Sequence, residues 1–146
     1  EAFNEAIQYS NKAAMSLSDK FCVERHKKSF LELVKNKLDI IFANEQEIFE
    51  LIDARSFNEV VSFGKKLRKT LVITRSDKGS VVVNQDKVVE CESQKNLKIV
   101  DLTGAGDLFA AGFLHGFINK MSLKQSLEKG TEMASRIIQK IGARLN

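Results

Sequence analysis

An α/β fold on a mostly parallel sheet is predicted by three observations. Two short apolar runs bounded by polar residues, Asp39-Ile40-Ile41-Phe42-Ala43 and Thr70-Leu71-Val72-Ile73-Thr74, have the composition of strands buried on both faces. Segments with helical spacing of apolar residues lie around and between them, and such alternation requires crossover connections between parallel strands. With 146 residues, 43% of them hydrophobic, the chain is long enough for one compact domain with a real core.

Residues 2–13 read as a helix and residues 13–18 as a short strand with a polar end. From Cys22 to Lys37 the residues Val23, Phe30, Leu31, Leu33, Val34 and, just beyond, Leu38 recur near helical spacing, which predicts a surface helix. Asn44 opens a helix that runs to about Asp53, and Ser56 opens another with Phe57, Val60, Val61, Gly64 and Leu67 on one side. The segments 79–83, 87–91 and 97–100 are β-rich and separated by polar residues, as in an antiparallel hairpin and its continuation. Two helices close the chain. In the first, from Gly104 to Lys120, Phe109, Gly112, Phe113, Gly116 and Phe117 share one face, which is therefore core. The second runs from Ser122 to about Ile141 and is stopped by Gly142. The sequence has no Pro, and no internal repeat or linker is evident.

Charge and composition exclude several classes. The 23 Lys and Arg against 19 Asp and Glu give a net charge of only +4. The basic clusters at 25–28 and 65–69 lack interleaved aromatic residues, so they read as solvated helix faces and not as a nucleic-acid surface. No apolar run approaches the roughly 18 residues of a membrane span. Cys22 and Cys91 sit in no metal or redox spacing, and no signal peptide is evident, which points to a reducing cytoplasm. His26 and His115 have no partner at metal or triad spacing and read as solvated or structural.

The chemistry concentrates where a strand gives way to a helix, at Asp101-Leu102-Thr103-Gly104-Ala105-Gly106-Asp107. Gly104, Ala105 and Gly106 carry little or no side chain, so a phosphate can approach the N–H groups of the first helical turn, where the helix dipole favours an anion. Asp107 has two readings on local grounds. It is either a dipole-stabilising acid after a Thr cap, or a base that accepts a proton from a hydroxyl poised beside the anion. A weak base suffices where the transition state is loose and orientation is the main task. Asn44-Glu45-Gln46-Glu47 likewise reads as a capping box or as a polar pair serving a ligand. Thr74-Arg75-Ser76-Asp77-Lys78-Gly79 reads as a polar turn after a strand.

These motifs, in this order, resemble the ribokinase-like superfamily, the PfkB-type sugar and nucleoside kinases, and the run Leu17-Ser18-Asp19-Lys20-Phe21-Cys22-Val23-Glu24-Arg25-His26 is most like its adenosine-kinase-like branch. The turn at Asp101–Asp107 is similar to the family's D-T-x-G-A-G-D signature, Asn44 and Glu47 to its N-x-x-E, and Thr74 to Gly79 to its T-x-G-x-x-G loop with Ser76 at the first glycine. Residues 139–144 are similar to the closing segment near the adenine pocket. The resemblance implies a three-layer α/β/α fold and an ATP-dependent phosphotransferase acting on a sugar or nucleoside hydroxyl. Asp107 would be the general base, Gly104, Ala105 and Gly106 the anion hole, and Asn44, Glu47, Thr74, Ser76 and Gly79 the residues for ATP and Mg²⁺. Asp101 and Thr103 would lie at a monovalent-cation (K⁺) site. It further implies that residues 1–146 are the C-terminal, ATP-binding part of one kinase domain, without the N-terminal half that carries the lid, most acceptor contacts and any homodimer contact. A catalytically silent nucleotide-binding module, such as a pseudokinase fragment, stands as the alternative. A dinucleotide-binding oxidoreductase is disfavoured, because no G-x-G-x-x-G follows the first strand.

Overall fold

The strands β1 (Ala14–Ser16) and β2 (Ile40–Asn44) run parallel, with Ala14, Met15 and Ser16 opposite Ile40, Ile41 and Phe42. Helix α1 (Lys20–Asn36) supplies the crossover that parallel pairing needs. The computed structural model of the chain describes residue 5 and residues 7–144. After β2 follow α2 (Glu45–Ile52), α3 (Phe57–Leu67), β3 (Thr70–Thr74), β4 (Ser80–Asn84), β5 (Lys87–Cys91), α4 (Ala105–Ile118) and α5 (Leu123–Ile137). The sheet order is β1-β2-β3-β4-β5. Only Gln85 and Asp86 separate β4 from β5, a connection that antiparallel strands alone can make, and Gln85 turns there at φ 53.

By its internal contacts the chain divides into two compact units, Glu1–Ile73 with Val83–Lys87, and Thr74–Val82 with Val88–Asn146. In the first, the core holds Val23, Val34, Ile41, Val60, Leu71 and Ile73, which the sequence pattern picked out as apolar positions, together with Leu17, Ile48 and Leu51, all fully buried. Asp19 caps α1 by accepting the N–H groups of Phe21 and Cys22 at 2.8 and 3.1 Å. At the other end of α1, the Lys69 ammonium donates to the Val34 carbonyl at 2.9 Å, where the helix dipole favours a cation. Inside α1 the backbone leaves helical geometry at His26 (φ -121, ψ 25), a kink that apolar spacing did not signal.

The second unit is organised by the packing of α4 on α5. Gly112 lies against the backbone of Lys129, Gly116 against Ser126, and Gly130 against Phe109, so small residues from both helices let the two backbones approach closely. Phe109 and Phe113 fill the core beside this seam with Leu127 and Ile137, as the shared face of α4 predicts. The Phe113 and Phe117 rings stack with centroids 5.9 Å apart.

Three expectations differ from the structure. The helix expected at 2–13 lies partly outside the described residues; residues 5, 7 and 8 are helical, but residues 9–13 are not. Residues 97–100 form no strand; the N–H of Val100 donates instead to the carbonyl of Ile138 at 2.8 Å, and Ile99 is 64% exposed. The final helix ends at Ile137 and not near Ile141, because the Ile138 carbonyl is drawn off to Val100 and Asp101. Gly142, at φ 87, therefore stands in the loop beyond the helix and does not terminate it.

The seam yields a stability test. A Cβ built at Gly112 would lie 2.5 Å from the Lys129 carbonyl oxygen. Gly112→Ala is expected to lower the unfolding free energy by about 1–3 kcal/mol, as overpacking against backbone does. Chemical denaturation would show it, with Gly106→Ala as the comparison, since a Cβ there meets nothing within 4 Å.

Candidate active site

The predicted site residues fall into three groups, one in the first unit and two in the second. In the first, the end of β2 leads directly into α2, so Asn44 sits at the N-cap. Its Oδ1 accepts the Glu47 N–H at 2.8 Å, while Glu47 Oε2 accepts the Asn44 N–H at 2.9 Å and Oε1 accepts from Asn44 Nδ2 at 2.8 Å. The capping box expected from the spacing is thus complete. Glu47 is only 5% exposed. Burial pushes its carboxyl above the ordinary glutamate value, the Asn44 N–H pulls the other way, and the charge of Asp19 adds to the rise.

Capping uses one lone pair on each Glu47 oxygen and leaves the others. The donor set here is all oxygen, which suits a hard cation such as Mg²⁺. Among the described residues no group of three or more His, Cys, Asp and Glu could hold a metal. Mg²⁺ characteristically binds through one or two carboxylates, with water and substrate phosphates completing its shell, and Asn44 with Glu47 fits that habit.

In the second unit the turn before α4 is shaped by Gly104, which adopts φ 77 and stands at the N-cap without any side-chain capping bond. Thr103 is not the cap that one reading of Asp107 assumed. Its hydroxyl and its N–H both donate to Asp101 Oδ1, at 2.7 and 2.9 Å. The Ala105 N–H turns back to the Leu102 carbonyl at 3.2 Å, and the first bond of the helix proper runs from Leu108 to Gly104 at 2.9 Å. The N–H groups of Gly106 and Asp107 make no hydrogen bond among the described residues. Asp107 is exposed beside them, so this end offers donors for an anion and a carboxylate for a proton.

The Asp101 carboxylate also accepts the Gly142 N–H at 2.9 Å through Oδ2. The Thr103 hydroxyl first, then the N–H groups of Gly142 and Thr103, hold this carboxyl below the usual aspartate value. For a monovalent cation the pair offers oxygen ligands, but Oδ1 already receives two donors and Oδ2 one.

The third predicted group, Thr74, Ser76 and Gly79, lies in the loop from the end of β3 to β4. Ser76 adopts φ 54 and Gly79 φ 85. Arg75 N–H closes the loop onto the Gly79 carbonyl at 2.8 Å. A Cβ at Gly79 would fall 2.0 Å from the Cys91 carbonyl, so glycine is required there. Sequence reasoning missed the residues that hold this loop: Ser93 Oγ donates to the Asp77 carbonyl at 2.6 Å, and Lys95 Nζ reaches both Ser93 Oγ and that carbonyl at 3.3 and 3.4 Å. It also missed Gly142 as a partner of Asp101. No local spacing signals either, since both bonds join residues far apart in sequence.

Two tests follow from these geometries. Ser76→Gly is expected to stabilise the fold by up to about 1 kcal/mol, because a non-glycine residue at positive φ bears a strain that Gly lacks; thermal denaturation reads it. For Glu47 the folded value lies above the unfolded one, so its contribution to stability is full below the unfolded value and is lost as pH rises through the folded one. Glu47→Gln is expected to flatten that decline in unfolding free energy measured against pH.

The description "pfkB family carbohydrate kinase" matches residues 1–146. A nucleoside kinase of Methanocaldococcus jannaschii is 29% identical over 120 residues, covering 82% of this chain and 39% of that protein. The crystal structure of adenosine kinase from Sinorhizobium meliloti superposes with a TM-score of 0.94 at 38% identity, covering 99% of this chain and 46% of that one. A probable sugar kinase from Rhizobium etli gives 0.90 at 36% identity, covering 97% and 43%. The chain thus spans less than half the length of each of these proteins, and its mixed, mostly parallel sheet with flanking helices is the ribokinase-like α/β fold in part. The chain belongs to the pfkB family of carbohydrate kinases, whose members use ATP, typically with Mg²⁺.

Proposed function

We propose that the protein carrying this chain transfers the γ-phosphoryl group of ATP to a hydroxyl of a nucleoside or sugar, and that residues 1–146 are the ATP-binding part of its kinase domain. The observation that carries this reading is the start of α4, where the N–H groups of Gly106 and Asp107 are unpaired and the Asp107 carboxylate is exposed beside them. Gly104, Ala105 and Gly106 let an anion reach those donors; at Gly106 even a Cβ would meet nothing within 4 Å. Asp107 orients the acceptor hydroxyl and takes its proton as the oxygen–phosphorus bond forms and ADP leaves, a task for which a weak base is adequate when bond breaking runs ahead.

Asn44 and Glu47 are assigned to Mg²⁺ and its waters, and Thr74, Ser76 and Gly79 to the ATP phosphates and ribose. Where a monovalent cation such as K⁺ binds, Asp101 and Thr103 are the ligands that this chain offers. Mg²⁺, when bound, supplies charge neutralisation for the phosphates. An adenosine-like nucleoside is the favoured acceptor, because the similar proteins include an adenosine kinase and a nucleoside kinase. Sugar acceptors stand beside it, given the probable sugar kinase. Selection among them, and any homodimer, belongs to the part of the kinase that this chain does not match. No helix among the described residues is long and apolar enough to cross a membrane. A cytoplasmic location accords with two unpaired cysteines, Cys22 and Cys91.

The second reading, a catalytically silent nucleotide-binding module, is favoured by one observation: Ser76 occupies a positive-φ position where the family motif has glycine. Asp107→Asn separates the readings. With ATP, Mg²⁺ and a panel of nucleosides and sugars, the variant is expected to lose about 10²–10⁴-fold in kcat, the usual worth of a general base. Folding is expected to be unchanged apart from a small helix-dipole contribution, since Asp107 is exposed. Equal rates for the two proteins would sink the assignment of Asp107.

A further inference from the structure

We infer that Asp101 is a positioning residue: it clasps the loop after α5 to the turn before α4, and so fixes the direction in which the Gly106 and Asp107 N–H groups point. The clasp has three parts, all within the second unit. The Ile138 carbonyl accepts the N–H groups of Val100 and Asp101 at 2.8 and 3.2 Å. The Asp101 carboxylate then reaches both ways, to the N–H and hydroxyl of Thr103 through Oδ1 and to the N–H of Gly142 through Oδ2. Finally, Gly104 is pressed on the same loop, since a Cβ there would lie 2.8 Å from the Ala143 Cβ and 3.1 Å from its Cα.

Each contact answers a need of the turn. Gly104 sits in the left-handed region and no side chain caps α4, so no cap fixes the first helical turn. The Thr103 bonds close an Asx-type turn that sets the backbone leading into Gly104. The Gly142 bond anchors that turn to a segment 41 residues away. A carboxylate is the side chain that can do both, because it accepts on two oxygens; an asparagine of the same shape has one acceptor and must abandon either Thr103 or Gly142. Loop and turn therefore move together. A displacement of even about 1 Å at a phosphoryl-transfer site costs on the order of 10²-fold in rate, so the clasp has kinetic weight.

The kinetic part of the inference rests on the proposed phosphoryl transfer; the clasp itself does not. Asp101→Asn in the protein carrying this chain is expected to lower kcat by about 10- to 100-fold, with KM for ATP nearly unchanged, because donors are misdirected and not removed. In parallel, amide hydrogen exchange followed by NMR, without nucleotide, is expected to show a protected Gly142 in the wild type. In the variant that protection is lost, and the exchange of Gly106 and Asp107 changes while the core amides do not. Rapid exchange at Gly142 in the wild type overturns the inference and needs no variant to fold. Wild-type kcat in folded Asp101→Asn overturns it too, as does a loss that added KCl restores, since Asp101 would then be acting as a cation ligand. If the wild type phosphorylates nothing but the exchange pattern appears as expected, the clasp stands and the proposed function falls.

Discussion

Among the described helices α1–α5, α4 is the one whose first turn receives no side-chain cap, and the turn before it is organised around that uncapped end. Asp19, Asn44, Ser56 and Ser122 each accept an N–H from the first turn of the helix they precede. Gly104 has no side chain with which to do so. The orphan donors of a helix start must be satisfied by something, and at an exposed turn water or a ligand serves. A cap would stabilise the helix by about 1 kcal/mol, yet it would occupy the donors that an anion needs. Leaving them unpaired transfers the burden of ordering the turn to residues outside it.

Two devices carry that burden. One is steric: the glycine seam between α4 and α5 leaves each helix facing the other's backbone, so the axis of α4 is set by contacts that do not yield as a flexible side chain would. The other is polar, the carboxylate of Asp101 bridging the turn and the loop at Gly142. Both converge on the same short stretch, because α5 supplies one face of the seam and its C-terminal carbonyl at Ile138 begins the clasp. Packing and hydrogen bonding thus fix the two ends of one helix pair.

What could be read from the sequence follows the range of the interaction. The strands β2 and β3, the Asn44–Glu47 capping box and the Phe109-Gly112-Phe113-Gly116 face are encoded in spacings of a few residues, and the structure reproduces them. The Gly104–Asp107 turn was likewise visible as small residues between a polar strand end and an apolar helix. Two of the three failures are non-local. Residues 97–100 have strand composition, but their hydrogen bonding is decided by Ile138, far along the chain. Gly142 has the composition of a helix stop, but its N–H is claimed by Asp101. Thr103 precedes a helix, as capping residues do, and its hydroxyl goes backwards to Asp101 instead. In the first two cases a local preference lost to a partner that only the fold brings near, whereas Thr103 gave up capping for a carboxylate two residues back.

The same distinction bears on Asn44 and Glu47, where capping and ligand binding were rival readings. The geometry makes them compatible, since each carboxylate oxygen spends one lone pair on Asn44 and keeps another. Capping in fact holds Glu47 in place while burial makes its ionised form costly. A cation arriving beside a buried carboxylate repays that cost, so metal affinity and ionisation of Glu47 would be thermodynamically linked. On the proposed function, the cap supplies the rigidity and burial supplies the preference for a charged partner. A surface glutamate at the same spacing would cap the helix equally well and bind Mg²⁺ with less discrimination, because water would already have stabilised its charge.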